Sequence, residues 1–526
     1  MLESAVDRPL PVVDLFAGPG GLGEGFAAAN SASGAPAFRI CLSIERDAYA
    51  HATLTLRSFF RQFRDGRVPH EYYRLLRSPE LGFPYLGGLF PEQAHRAREE
   101  AIRATLGEEP RERIDQLIGR ALAGSGKEAW VLVGGPPCQA YSVIGRSRNR
   151  GVKGYAPEKD HRHFLYREYL RILATHWPPV FVMENVPGLL SATVRDSRLF
   201  ERILSDLSAP GKVIGGCDGP EYVVWSIAKS TAFGHVGHDP RDFIVRSDEY
   251  GVPQARHRVV MLGVREDIGR VTPRCLWPQP PCTTAQVIGE LPALRGGLSR
   301  TEDSATAWAA HLRGALNEPW AVQLGASANA AVLALMKSTL SCLKPPFADR
   351  GAEFVPCEAQ NGGPLRAWGH DPHLGGVCNH TTREHLPSDL YRYLYASCFA
   401  AVHGRSPQVT EFPAGLLPAH RNIEKALAGE RVFADRFRVQ EPDRPSTTIT
   451  SHLSKDGHHF IHYDPAQCRS LTVREAARLQ TFPDNYLFCG PRTAQYVQVG
   501  NAVPPLLARQ IAEVVLDLLC RAGFGE

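Results

Sequence analysis

The sequence predicts an α/β fold: a parallel, doubly wound sheet joined to a second, smaller irregular domain. Three observations predict it. Short β-rich runs alternate with helical patterns through the first half of the chain. A glycine-rich turn joins the first of those runs to a helix. After residue 271 the rhythm gives way to a Pro- and Gly-rich stretch with few clean strands.

The β-rich runs are 11–16 (PVVDLF), 39–45 (RICLSIE), 130–133 (WVLV), 180–184 (VFVME) and 259–264 (VVMLGV). Each is apolar enough to be buried on both faces, as strands of a parallel sheet are. Helical patterns such as 166–174 (YREYLRILA) lie between them. Residues 57–127 interrupt the alternation; they are highly charged and read as a helical insertion on the α/β domain. Residues 272–465 suit a separate domain of loops and short strands, the kind that reads a partner. The last segment, 503–519 (VPPLLARQIAEVVLDLL), returns to an amphipathic helical period. The chain is therefore expected to divide into 1–271 plus 466–526, and 272–465. A chain of 526 residues is in any case too long for one ordinary core.

Composition narrows the classes. The net charge of +4 is only mildly basic, so a nucleic-acid surface must be a local patch. The first residues lack the basic segment and apolar run of a signal peptide. No apolar run reaches the roughly 18 residues of a membrane span, and no membrane association is expected. The 12 cysteines are scattered with no CxxC pairs, which suits reduced thiols in the cytoplasm.

Four motifs carry chemistry. DLFAGPGGLGEGF (14–26) ends a strand in a turn where backbone can approach a ligand; Gly18, Gly20 and Gly23 fit G-x-G-x-x-G, and Glu45 ends the next strand where a ribose-binding acid belongs. This motif alone fits a nicotinamide oxidoreductase as well as a methyltransferase. WVLVGGPPCQAYSVIGR (130–146) holds Cys138 in a rigid Gly-Gly-Pro-Pro loop after a strand, out of the strand end and into the cleft above the sheet. MENVPG (183–188) places Glu184 and Asn185 at another strand end. In QARHR (254–258), period two puts Gln254, Arg256 and Arg258 on one face, where they would be costly to bury without partners.

These motifs, with LTVREAARLQTFPD (471–484) and VGNAVPPLLA (499–508) in order behind them, resemble the DNA cytosine-5 methyltransferase family of bacterial restriction–modification type. The resemblance spans almost the whole chain. It implies a Rossmann-like S-adenosylmethionine-dependent methyltransferase sheet, and a target-recognition domain at 272–465 that reads double-stranded DNA while the target base is flipped out of the helix. It implies Cys138 as nucleophile toward cytosine carbon 6, Glu184 on N3 and the exocyclic amine, Asn185 orienting the loop, Arg256 on the base carbonyl, Gln254 in support, and Arg258 or Arg256 favouring the thiolate. For S-adenosylmethionine it implies Phe16, Gly18, Gly20, Leu22, Glu45 and Asn501. Two positions depart from the family pattern. Arg46 stands where an aromatic often stacks on adenine, and the adenine-contacting acid lacks its usual setting, leaving Asp115 in RIDQL as the candidate. A monomer is expected, working beside a cognate restriction endonuclease or alone. The group Cys357, His370, His373, Cys378 and His380 matches no standard zinc spacing, so no metal is expected. The competing readings are the same chemistry on tRNA and a catalytically inactive DNA-binding regulator.

Overall fold

A computed structural model describes residues 9–63, 67–123, 129–137, 162–194, 197–215, 219–234, 238–268, 271–357, 363–418 and 435–524. The chain forms two compact units. One comprises residues 1–68, 86–280 and 502–526; the other comprises 69–85 and 281–501.

The first unit is built on an eight-stranded sheet. Its strands are β1 (Leu10–Leu15), β2 (Phe38–Glu45), β3 (Ala101–Arg103), β4 (Val131–Gly134), β5 (Val180–Asn185), β6 (Tyr222–Trp225), β7 (Ile244–Arg246) and β8 (His257–Arg265). The order is β3-β2-β1-β4-β5-β8-β6, with β7 also on β8. The first five are parallel. Alternate residues of the central strands feed two cores on opposite faces, Leu132, Phe181 and Met183 on one and Val131, Val133, Val180 and Val182 on the other. This period-two split of continuous apolar runs is what a doubly wound sheet requires. Helices α1 (Gly21–Ala27), α2 (Ala48–Arg61), α3 (Arg111–Leu122), α4 (Arg162–His176) and α5 (Pro505–Arg521) belong to this unit. The closing helix α5 packs on α1, where a Cβ on Gly25 would come within 2.4 Å of the Ala508 Cβ. Only a glycine admits that approach.

Three expectations are corrected here. All five strands read from the sequence are present, but the last, β8, runs antiparallel to β5. Antiparallel pairing brings its first residues, not its last, to the carboxyl edge of the parallel strands. The segment 57–127 is not simply an insertion. It supplies edge strand β3, paired with β2, and α3, whose Ile114 and Ile118 are fully buried in the sheet's core. The unit boundary also falls elsewhere, since 69–85 and 466–501 group with 281–465.

The second unit is more helical than its composition suggested. Helices Ala305–Gly314, Pro319–Gly325, Ala330–Ser341 and Pro387–His403 bury Trp308, Trp320, Met336, Tyr393 and Phe399 in a common core. Its strands are short pairs, Gly351–Pro356 with Gly376–Thr381 and Gly297–Leu298 with Glu384–His385. The stretch 471–484 organises this unit from within. Thr472 and Glu475 form a capping box, and Glu475 takes two bonds of 2.7 Å from Arg469. Arg474 donates to the carbonyls of Cys378, Pro483 and Tyr486, and Arg478 pairs with Asp484. Gly500 packs on residues 450–451, where its Cβ would meet the Ser451 nitrogen at 2.3 Å. Among the described residues no helix is long and apolar enough to cross a membrane.

Candidate active site

Strand register assembles the site of the first unit. Ile44, Leu15, Gly134, Met183 and Met261 are successive partners across five neighbouring strands. The residues that follow on the parallel strands, Glu45, Phe16, Gly135 and Glu184, therefore leave the sheet along one line at its carboxyl edge, where open α/β sheets bind ligands. From β2 to β5 that line crosses three strand spacings, about 14 Å.

At one end lies the glycine-rich turn. Phe16, Gly18 and Gly20 all take positive φ, 58°, 58° and 98°. The Ala17 amide donates to the Ile44 carbonyl at 3.1 Å, and the Gly18 amide donates to Glu45 Oε2 at 2.8 Å. The other oxygen of Glu45 accepts from the Asp47 amide at 2.7 Å. Glu45 thus ties the turn to the end of β2. A Cβ on Gly18 would meet nothing within 4 Å, so open space stands over the turn. Leu22 packs into the apolar core, which leaves only its backbone to face a ligand.

Beneath the turn sits a carboxylate whose role the sequence reading missed, although an acid inside the apolar run PVVDLF is itself a signal. Asp14 is completely buried, and burial raises its pKa to about 7, with the Gly23 backbone and Arg61 pulling it down and Glu45 pushing it up. The folded protein therefore holds a proton that an unfolded aspartate releases near pH ~3.9. The contribution of Asp14 to stability is lost as pH rises from about 4 to about 7 and is level above that window. Asp14→Asn removes this dependence. The melting temperature of the variant relative to wild type is expected to rise by several degrees between pH 5 and pH 8, and an unchanged difference would refute the assignment.

At the other end lies a charged cluster. Glu184 is partnered with Val260 in the antiparallel pair, so it shares a sheet face with Arg258, two residues away. Arg258 Nε pairs with Glu184 Oε1 at 2.7 Å, the side chains being 12% and 15% exposed. Arg256 is buried; desolvation and the charge of Arg258 push its pKa well down while Glu184 pulls it up. Burial likewise lowers Arg258, against the charge and hydrogen bond of Glu184. Both guanidiniums stay charged, since arginine starts so high. Gln254 is fully buried beside them in sequence. Gly135 makes room for Glu184, whose Oε2 lies 2.9 Å from where its Cβ would be. Asn185 Nδ2 donates to the Pro136 carbonyl at 3.2 Å, and its Oδ1 accepts from the Val186 amide. It pins the Gly-Gly-Pro-Pro loop two residues before Cys138, which itself lies outside the described residues. Ser247, unforeseen in the sequence, holds the Arg256 carbonyl with both its amide and its hydroxyl.

One candidate of this unit is not brought into this line. Asp115 lies on α3, where Arg171 Nη1 donates to both its oxygens at 2.9 Å and His176 Nε2 is 2.8 Å away. Its carboxylate is committed to a helix–helix ion pair, and Asp115 is withdrawn as an adenine contact. The residues after β3, Ala104 and Thr105, offer no acid in its place. Asn501 ends helix Arg492–Asn501 of the second unit and is exposed. Of the cysteine–histidine group, His380 engages Thr472 and the Pro292 carbonyl through its two ring nitrogens, and Cys378 is buried against the Leu76 carbonyl.

Residues 119–308 and 379–517 match the model of the C-5 cytosine-specific DNA methylase family. Among similar proteins is the type II methyltransferase M.Bpa9945I of Bacillus paralicheniformis, 31% identical over 97% of this chain and 99% of its own. The DNA (cytosine-5-)-methyltransferase M.ApeKI of Aeropyrum pernix is 28% identical over 75% of this chain and 82% of its own. A crystal structure of a candidate DNA modification methyltransferase encoded within an E. coli prophage superposes with a TM-score of 0.52 over 97% of this chain and 99% of that one, at 18% identity, a likeness of fold.

Proposed function

The chain belongs to the C-5 cytosine-specific DNA methylase family, whose reaction needs a methyl donor and DNA, and on that footing we propose how its residues divide the work. The observation that carries the reading is the single register line that sets Glu45 and the open glycine turn at one end and the Glu184–Arg258 pair at the other.

The donor is S-adenosylmethionine, held by the backbone of the turn at Phe16, Gly18, Gly20 and Leu22 and by Glu45; bound there, it supplies the methyl group. The space above Gly18, which a side chain would fill, suits a ligand pressed against backbone. Carbon 5 of cytosine is a poor nucleophile. The Cys138 thiolate adds to carbon 6 of a flipped-out base and makes carbon 5 enamine-like. Arg256 and Arg258 bring positive charge to a secluded site and favour the thiolate. Glu184 hydrogen-bonds N3 and the exocyclic amine and draws charge off the ring as the thiolate adds. Arg256 holds the base carbonyl, Gln254 supports it, and Asn185 keeps the nucleophile's loop in place. Loss of the carbon 5 proton then lets the thiol leave.

The second unit reads the target sequence. The enzyme works as a cytoplasmic monomer, with a cognate restriction endonuclease as its functional counterpart. Incubation with labelled S-adenosylmethionine and either duplex DNA or tRNA is expected to label DNA at 5-methylcytosine. Bisulfite sequencing of DNA from expressing cells should then show one methylated sequence. Label on tRNA alone would overturn the reading.

A further inference from the structure

A donor bound along the carboxyl edge has a direction. Its methyl group must face the Glu184–Arg258 end of the register line, and its ribose belongs at Glu45. A ribose carries the sulfur arm and the base on opposite sides of its ring oxygen. The adenine therefore passes beyond Glu45, away from β5, onto the ends of β2 and β3. The register there sets Arg103 opposite Glu45, and Arg46 follows Glu45 in the chain.

Both arginines are exposed. Among the described residues neither guanidinium pairs with a carboxylate, and the one bond they share runs from Arg103 Nε to the Arg46 carbonyl at 3.4 Å. Other arginines nearby are spent. Arg57 and Arg61 on α2 pair with Glu24, Arg61 also with Glu100, and Arg171 with Asp115. Two neighbouring cations are thus left open at the point where the base must lie.

The backbone beneath them is fixed. The Ala104 amide donates to the Glu45 carbonyl at 3.2 Å. Asp47 caps α2, its Oδ1 accepting from the Tyr49 and Ala50 amides at 3.0 and 2.8 Å. His51 Nε2, on α2, donates to the Ala101 carbonyl at 3.0 Å and ties that helix to β3. The corner is held while the two guanidiniums stay available, so little backbone freedom is lost when a ligand arrives.

Adenine is flat and neutral, with acceptors at its ring nitrogens and a donor only at its amine. A planar guanidinium can stack on such a face and donate to such an edge. An acid would be needed to accept from the amine, and none directly follows β3. We propose that Arg46 and Arg103 form the adenine subsite of the methyl donor, Arg46 lying flat against the base and Arg103 donating to its edge. The inference rests on the reading of the glycine turn and Glu45 as the donor site.

The test titrates the full chain, without DNA, with S-adenosylhomocysteine, which keeps the base and ribose but has no methyl group to transfer. Arg46→Ala is expected to weaken binding about 5- to 30-fold, and Arg103→Ala about 3- to 10-fold. Arg46→Trp should restore affinity, since an indole also offers a flat face, and the fluorescence it adds should fall as the ligand binds. Arg46→Lys should not restore it, because an ammonium keeps the charge without the plane. S-ribosylhomocysteine, which lacks the base, should compete equally well for wild type and Arg46→Ala. Unchanged affinity in both alanine variants, full rescue by lysine, or an equal loss toward the ligand without a base would overturn the proposal. So would variants that bind S-adenosylhomocysteine normally but bind DNA more weakly with a shallower salt dependence, the mark of phosphate contacts. Wild type that binds no S-adenosylhomocysteine at all would instead sink the reading of the turn as the donor site.

Discussion

Cys138→Ser is expected to lower methyl transfer by about 10^4-fold or more while the variant still binds S-adenosylmethionine. The size follows from the chemistry: without addition at carbon 6, carbon 5 has no electron pair to offer, and a serine hydroxyl is far less ionised than a thiol of pKa ~8.5. Donor binding survives because the turn around Gly18 and Glu45 lies on other strands, joined by its own hydrogen bond. Measurement of kcat, with isothermal titration of the donor in parallel, separates the two. The wild type should also form a covalent adduct with duplex DNA carrying 5-fluorocytosine, since fluorine cannot leave as a cation, and the variant should not. A serine variant with more than a tenth of wild-type kcat, or no adduct from wild type under turnover conditions, would remove the thiolate from the mechanism.

How much of this was legible in the sequence divides along physical lines. The five apolar runs were legible as strands because each is short and rich in β-branched or aromatic residues, which separates it from a buried helix where periodicity alone does not. The direction of β8 was not readable, since an apolar run says nothing of its polarity. Strand β3 was hidden because three residues beside the charged helix 91–100 make no periodic signal; only its pairing with β2 makes it a strand. The helices of 305–341 were obscured by alanine, which sits on every side of them and blurs the apolar face. At the site, Glu184, Asn185, Arg256 and Arg258 could be named because their motifs place them at strand ends. Ser247 and Gly135 could not, since one acts through the Arg256 carbonyl and the other through the side chain it lacks. Asp115 misled because spacing along a chain cannot show that Arg171 and His176, on another helix, already hold its carboxylate.

Glu184→Gln is the second large effect, with kcat expected to fall by about 10^2- to 10^4-fold. Glutamine keeps the shape and can still donate to an acceptor, but it cannot carry the negative charge or pass a proton toward N3. It also strips Arg258 of its carboxylate partner at 2.7 Å, and removes from beside two neighbouring guanidiniums in a desolvated place the charge of Glu184 that offsets their repulsion. These two consequences are separable. Loss of the ion pair alone would lower the melting temperature and weaken DNA binding, and so act on KM. Loss of the N3 contact acts on the step in which charge leaves the ring, and so on kcat. Glu184→Asp sharpens the distinction, because it keeps the charge near the arginines but draws the carboxylate back by one methylene. Aspartate should restore most of the melting temperature and little of kcat. Equal recovery of both would make Glu184 a structural counterion for Arg258, and a glutamine variant within twofold of wild-type kcat would remove it from the chemistry altogether.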